Sequence, residues 1–360
     1  MKHNIDDLFR IETNRNFSWD VVTSLDSATE ISLHSLADAY ELPDYRKLSL
    51  LKKRNLATQL YKWECDTFSF VIRSAKRVKP DILEKQCCIA HRIHSSSTIK
   101  PLVATNGQYV TQIQDTDWIA YPYYEGENFS GSNSPVISVI EQCTKFFLEL
   151  SHVEDVEPFQ CPNYRDKEDL SYVIRFFDSE YFRTKPFTTL VSEPIRNMLL
   201  ENRDELDLLV EKVSLLDTSS GFVLTHNDLH HANILITNEE TLALDLEAIG
   251  FDNVQFALAH SVFKLLRHCV YMGVYSPDDV RYELAIQAID RIAASSAPIH
   301  DCRTLYLYGQ CRILSDIRAN LLQLQKPTNF NLPTDLEKRI LNLFEFDYLM
   351  KMCCEGVKWT

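Results

Sequence analysis

A chain of 360 residues that is 45% hydrophobic and 24% charged is long enough for two cores and too apolar for intrinsic disorder, and no repeat points to a solenoid. Its formal net charge of −14 argues against a nucleic-acid surface, because such binding is driven by cationic groups that displace counterions from phosphates. No apolar run approaches the roughly 18 residues of a membrane span and the first residues lack a signal-peptide core, while ten cysteines without metal or redox spacing read as thiols of a reducing compartment, so the cytoplasm is the expected location.

Ser27 and Glu30 have capping-box spacing, and Leu33, Leu36, Ala37 and Tyr40 follow on one helix face, which predicts a helix over about 28–41, ended before Pro43. Aromatic and β-branched residues at 60–63 and 68–73 flank polar 64–67, the pattern of a hairpin. Pro80 and Asp81 open a helix on which Leu83, Cys87, Ala90 and His94 share a face. Short strands are expected at 109–113 and 118–124, divided by an acidic turn at 114–117, and the polar stretch from Glu125 to Pro135 reads as a linker. Beyond it the pattern is helical: Val136, Ile140, Cys143, Phe147 and Leu150 form one buried face, and similar faces recur near 196–215, 254–272, 281–295 and 335–352. The exception is 221–250, where short strands at 222–225, 233–236 and 242–244 surround polar loops.

That island carries the chemistry. His226, Asp228 and Asn233 stand in an HxDxxxxN run, and Asp245 follows twelve residues after Asn233. Phosphoryl transfer from a nucleotide passes through a loose transition state helped mainly by positioning and charge neutralisation. It needs a carboxylate that orients an acceptor hydroxyl and oxygen ligands that hold magnesium. Asp228 suits the first role, and Asn233 with Asp245 the second. Each alone would be an ordinary turn or strand-end residue; their joint spacing is what points to a site. His226, His230 and His231 would hold zinc only on a helix, and Asn227-Asp228 beside a β-like strand argues for a loop.

The same run, with Glu247 two places after Asp245, resembles the aminoglycoside phosphotransferase and choline kinase superfamily. The resemblance is specific over about 226–250, where His226-Asn227-Asp228 is similar to the choline kinase form of the loop, and weaker over 55–126. It implies an α+β, two-lobed protein-kinase-like fold with a small antiparallel β-rich N-lobe and a mainly helical C-lobe. The expected division is an N-terminal helical extension at 1–45, an N-lobe and hinge for the nucleotide at 46–126, and a C-lobe with the catalytic loop and substrate site at 127–360. The implied cofactors are ATP and Mg2+. The implied partner is a small-molecule hydroxyl acceptor of amino alcohol, aminoglycoside, homoserine or sugar type, with no nucleic acid and no membrane.

On this resemblance Asp228 orients and deprotonates the hydroxyl while His226 braces the loop. Arg73 ends a strand whose cation contacts phosphates, with Lys76 as the alternative. Glu84 is its ion-pair partner on the next helix, unless Glu84 closes a capping box begun at Asp81. Thr58 lies in the turn that would cover the phosphates, and Tyr121 and Tyr123 lead into a hinge that would read adenine. Glu247 either meets a second metal or a cationic substrate, or is a loop carboxylate bonded to backbone amides. Tyr172, Asp178, Glu180 and Tyr181 would line an acidic, aromatic site for a cation, or are ordinary surface and packing residues. The field of an acidic chain would steer a cationic substrate inward.

Two departures stand against the resemblance. No glycine precedes Gly107, although close backbone approach to phosphates favours glycine. The family's Asp-Leu-Ala after the metal-binding Asp is absent at 255–259, leaving Asp252 as the stand-in. Together they motivate a second reading, a catalytically degenerate, nucleotide-binding regulatory module.

Overall fold

The structure, a computed structural model, describes residues 8–9, 18–23, 27–52, 59–75, 78–93, 97–159, 169–179, 191–217, 221–295, 301–323 and 332–355. Six antiparallel strands form the first sheet: β1 (Ser18–Val21), β2 (Lys47–Lys52), β3 (Leu60–Glu64), β4 (Ser69–Ala75), β5 (Thr111–Ile113) and β6 (Thr116–Pro122). Their spatial order is β1-β2-β3-β4-β6-β5. The β3–β4 hairpin sets Tyr61 opposite Ile72, as its composition predicts. Gln114 and Asp115 join β5 to β6 with φ of 49° and 60°, the two positive values of a tight hairpin turn whose twist matches the strands.

Side-chain alternation gives the sheet two different faces. Ile72, Trp118 and Ala120 meet Leu33, Leu36 and Tyr40 of α1 (Ser27–Tyr40). The segment 1–45 is therefore no separate extension where it is described: β1 pairs with β2, and α1 covers a sheet face that would otherwise be bare. Ala75, Ile119 and Tyr121 face the other way, into the core that contains α2 (Pro80–Arg92). Pro80 sits in the first turn, where a missing amide costs nothing, and Leu83, Cys87 and Ala90 are buried as their spacing predicts. Arg73 shares the parity of Ala75, which aims it at the same side.

The chain then passes to β7 (Glu127–Asn128), which pairs with β9 (Ile234–Ile236), itself paired with β10 (Thr241–Ala243). A Cβ at Gly126 would lie 2.5 Å from the Ile236 carbonyl oxygen, so only glycine allows this approach. A second ribbon pairs β8 (Phe222–His226) with β11 (Ile249–Asn253).

The remainder is helical: α3 (Val136–Ser151), α4 (Ser171–Asp178), α5 (Glu193–Glu201), α6 (Arg203–Ser214), α7 (Val254–Tyr271), a π-helical turn at Val280–Leu284 leading into α8 (Ala285–Ala294), α9 (Cys302–Gln323) and α10 (Leu332–Glu355). The single helix expected near 196–215 is broken at Asn202, whose amide turns back to the Met198 carbonyl at 2.8 Å. Helix α9 escapes a periodicity reading because Gln310, Arg312, Ser315 and Asp316 are buried among its apolar residues, so it has no single apolar stripe. Between α7 and α10, Arg267 pairs with Glu345 at 2.5 Å, the two side chains being 2% and 0% exposed. Among the described residues no helix is long and apolar enough to cross a membrane.

Helices α9 and α10 touch at Gly309, where a Cβ would lie 2.1 Å from the Phe346 ring. Gly309→Ala is expected to destabilise the protein by about 1–3 kcal/mol through overpacking, readable as a lower denaturant midpoint with an unchanged slope.

Candidate active site

Strand β8 delivers His226 into the interior, where it is 0% exposed. Its Nε2 lies 2.9 Å from the Leu244 carbonyl and 3.1 Å from that of Asp245. Carbonyl oxygens only accept, so Nε2 carries the proton, and Nδ1 accepts from the Asp228 amide at 3.4 Å. Burial holds the imidazole below its usual pKa, against the pull of Asp245, which fits this neutral tautomer. His226 thus ties Asp228 to Asp245 from behind and touches nothing beyond the loop's own backbone in these bonds. Residues 227–230 form a turn, so His226 and His230 do not share a helix face.

Asn233 closes a short 3-10 turn, His231–Asn233. Its Nδ2 donates to the Asp228 carbonyl at 2.8 Å, which leaves Oδ1 as the oxygen a cation would use. Asn128 of β7 holds the turn by donating to the Ala232 carbonyl at 3.0 Å, and the His231 ring stacks on His268 of α7 at 3.8 Å.

Asp245 follows β10 in a left-handed conformation, φ 61° and ψ 58°, which costs a non-glycine residue about 1–2 kcal/mol. Its Oδ1 accepts from Nη1 of Arg73 at 2.8 Å, and Nη2 of Arg73 is 3.0 Å from Glu247 Oε2. Burial works against the Arg73 charge, but Asp245 and Glu247 outweigh it and hold the guanidinium above its ordinary range. The expected Arg73–Glu84 pair is therefore replaced. Glu84 instead accepts the Tyr109 amide at 2.9 and 3.0 Å and the Val110 amide at 2.9 Å, because α2 sets it beside the chain entering β5. This also removes the capping-box reading: α2 has no side-chain cap. Glu247 is an ion-pair partner of Arg73 through Oε2. Gln86 of α2 completes the junction by donating to the carbonyls of Glu247 at 2.9 Å and Ile249 at 2.6 Å.

The two tyrosines differ. Tyr121 is 4% exposed and lies in the main core, where burial and the nearby acids push its phenol well above its usual pKa; its ring packs inward and does not cover a hinge site. Tyr123 is half-buried just after β6, with Lys62 Nζ 3.9 Å from its ring centre.

Asp228 keeps 39% of its side chain exposed, and its Oδ1 is 3.9 Å from Nε2 of both His230 and His260, too long for a hydrogen bond. Burial, then repulsion from Asp245, raises its pKa above the usual Asp value. Behind the loop, buried Asp252 accepts the Asn253 amide at 2.7 Å and faces Arg312 at 3.6 Å, while Arg312 reaches the Asn227 carbonyl at 3.4 Å. Asp252 therefore braces the loop through an arginine of α9. Sequence reasoning missed Gln86, Asn128, His260 and Arg312. The available signal was the polar stripe His260, Lys264, Arg267 and His268 on an otherwise apolar α7. Asp178 is engaged by Arg203 at 2.8 Å and Tyr172 packs against the core. Thr58 and the other residues expected to cover the phosphates, as well as Lys76, His94, Glu180 and Tyr181, lie outside the described residues.

No protein-family model matches the chain, and no curated protein matches it in sequence. Solved structures do. A spectinomycin phosphotransferase in complex with ADP and spectinomycin aligns at TM-score 0.58 and 17% identity, over 89% of this chain and 98% of that one. An aminoglycoside phosphotransferase from Alicyclobacillus acidocaldarius aligns at 0.59 and 12%, over 84% and 91%. A choline/ethanolamine kinase family protein from Mesorhizobium loti aligns at 0.53 and 14%, over 91% and 100%. The chain has the kinase-like fold that these small-molecule phosphotransferases share, an antiparallel sheet lobe followed by a helical lobe.

Two outcomes follow from this geometry. Arg73→Gln leaves Asp245 and Glu247 facing each other without their cation and is expected to lower stability by about 3 kcal/mol, measured by equilibrium unfolding. Asp228 has a folded-state pKa raised above its unfolded value, so its ionisation costs stability as pH climbs past the ordinary Asp range of about 4. Asp228→Asn should accordingly melt at or above the parent at pH 8 and lose that advantage on acidification to about pH 4, read by scanning calorimetry.

Proposed function

We propose that this protein transfers the γ-phosphoryl group of ATP, with Mg2+, to a hydroxyl of a small molecule. The observation that carries the reading is that His226 bonds the Asp228 amide and the Asp245 carbonyl, Asn233 bonds the Asp228 carbonyl, and the Asp228 side chain is left 39% exposed. Asp228 would orient the hydroxyl and accept its proton. Its raised pKa suits a base, since proton acceptance strengthens as the conjugate acid weakens.

Asn233 Oδ1 and the Asp245 carboxylate are hard oxygen donors and fit magnesium, which takes few protein ligands and is completed by phosphates and water. Bound there, the ion would offset phosphate charge. Arg73 would turn from Asp245 and Glu247 toward the phosphates, Thr58 would lie in the turn covering them, and Tyr123 would stand at the adenine end of the hinge. The regulatory alternative keeps the nucleotide and loses transfer. Its motive is the glycine-free turn; the intact set of reacting groups favours catalysis.

ATP consumption with magnesium across amino alcohols, aminoglycosides, homoserine and sugars tests the proposal. Acceptor-dependent turnover should fall by about 10³-fold in Asp228→Ala while nucleotide binding persists. Asp245→Ala should lose the magnesium-dependent thermal stabilisation by ATP. Turnover unchanged in Asp228→Ala would sink the mechanism.

A further inference from the structure

His260 and Lys264 lie one turn apart on the same face of α7. His260 Nε2 is 3.9 Å from Asp228 Oδ1. The ring is 7% exposed, and its Nδ1 is buried with no hydrogen-bond partner among the described residues. A buried unpaired nitrogen is costly unless something else binds it. Lys264 has no carboxylate within ion-pair distance among the described residues; its Nζ lies 5.4 Å from the Phe263 ring centre.

The acids around this pair are already in use. Asp316 serves Arg339 and lies 4.0 Å from Arg312, Asp252 faces Arg312, and Glu345 holds Arg267. Burial and the nearby cations Arg267, Lys338 and Arg339 push Lys264 well below the usual lysine range, against Glu345. Burial, Lys264 and Arg312 likewise keep His260 neutral. Lys264 therefore lacks a counter-ion of its own among the described residues, and an anion bound beside it would favour its charged form.

We propose that Lys264 and His260 form an anion subsite for the acceptor: the compound whose hydroxyl reacts at Asp228 carries a carboxylate or phosphate group about one helical turn, roughly 5–6 Å, from that hydroxyl. The inference rests on the phosphotransferase reading and sharpens it. It reverses the cationic preference that the chain's net charge suggests, because local desolvated charges outweigh the distant field of surface acids. The ammonium group of an amino alcohol would instead disfavour the charged form of Lys264.

The test is calorimetric binding to the full chain loaded with a non-hydrolysable ATP analogue and magnesium. The probes are glycerate, glycerol phosphate, glycerol, ethanolamine and choline. Glycerate or glycerol phosphate should bind at least about tenfold more tightly than glycerol and the amines, as a charge-assisted hydrogen bond permits; the tighter of the two identifies carboxylate or phosphate. Lys264→Gln should lose about tenfold of that affinity, Lys264→Arg should recover most of it, and both should retain the nucleotide. The inference is overturned if no anion binds, if a neutral or cationic probe binds as well as the anions, or if Lys264→Gln leaves anion affinity intact. Phosphoryl transfer to an amino alcohol in preference to any anion would overturn the inference and keep the proposed function. Lysine-dependent anion binding without transfer to any hydroxyl would support the subsite and overturn the transferase reading.

Discussion

The guanidinium of Arg73, held between Asp245 at 2.8 Å and Glu247 at 3.0 Å, joins the sheet lobe to the helical lobe next to the loop that bears Asp228. Two carboxylates two residues apart would repel in a partly buried junction, and one forked cation removes the conflict because its nitrogens reach both. The pair depends on β4 alternation, which aims Arg73 inward, and on the left-handed backbone of Asp245, which turns its carboxylate toward the strand. Under the proposed function, nucleotide arrival would be an exchange of partners, in which phosphates would replace the acids at Arg73 and a cation would replace Arg73 at Asp245. Such an exchange leaves no charge stranded in either state.

Around that junction the loop bearing Asp228 is held from several sides by groups with separate origins. His226 fastens it to Asp245, Asn233 bonds back to the Asp228 carbonyl, and Asn128 anchors the turn from β7. Asp252 supports Asn227 through Arg312. The missing Asp-Leu-Ala is thus compensated by an arginine from a distant helix. An accessible carboxylate on a fixed backbone is the arrangement that positional catalysis would require.

The charge pattern is uneven. The chain carries −14 overall, yet Arg312 acts on Asp228, and Lys264, one turn from His260 on α7, sits near Arg267, Lys338 and Arg339. Overall charge governs solubility and long-range steering, whereas recognition depends on charges within a few ångströms and partly out of water.

Periodicity over 28–41, the hairpin at 60–73, the helix after Pro80 and the strand island at 221–250 were legible because local spacing decides which face of an element is apolar. The HxDxxxxN run and Asp245 were legible because the candidate groups of one loop stay near one another in sequence. So the sequence by itself determined the kind of fold and the residues around Asp228. Only the tertiary structure decided the pairings: Arg73 with acids 172 residues away and beyond, Glu84 with the Tyr109 and Val110 amides, Tyr121 in the core, and His260 beside Asp228. The reason is that the choice among charged partners depends on which faces the packing brings together, and no periodicity along the chain encodes that distance.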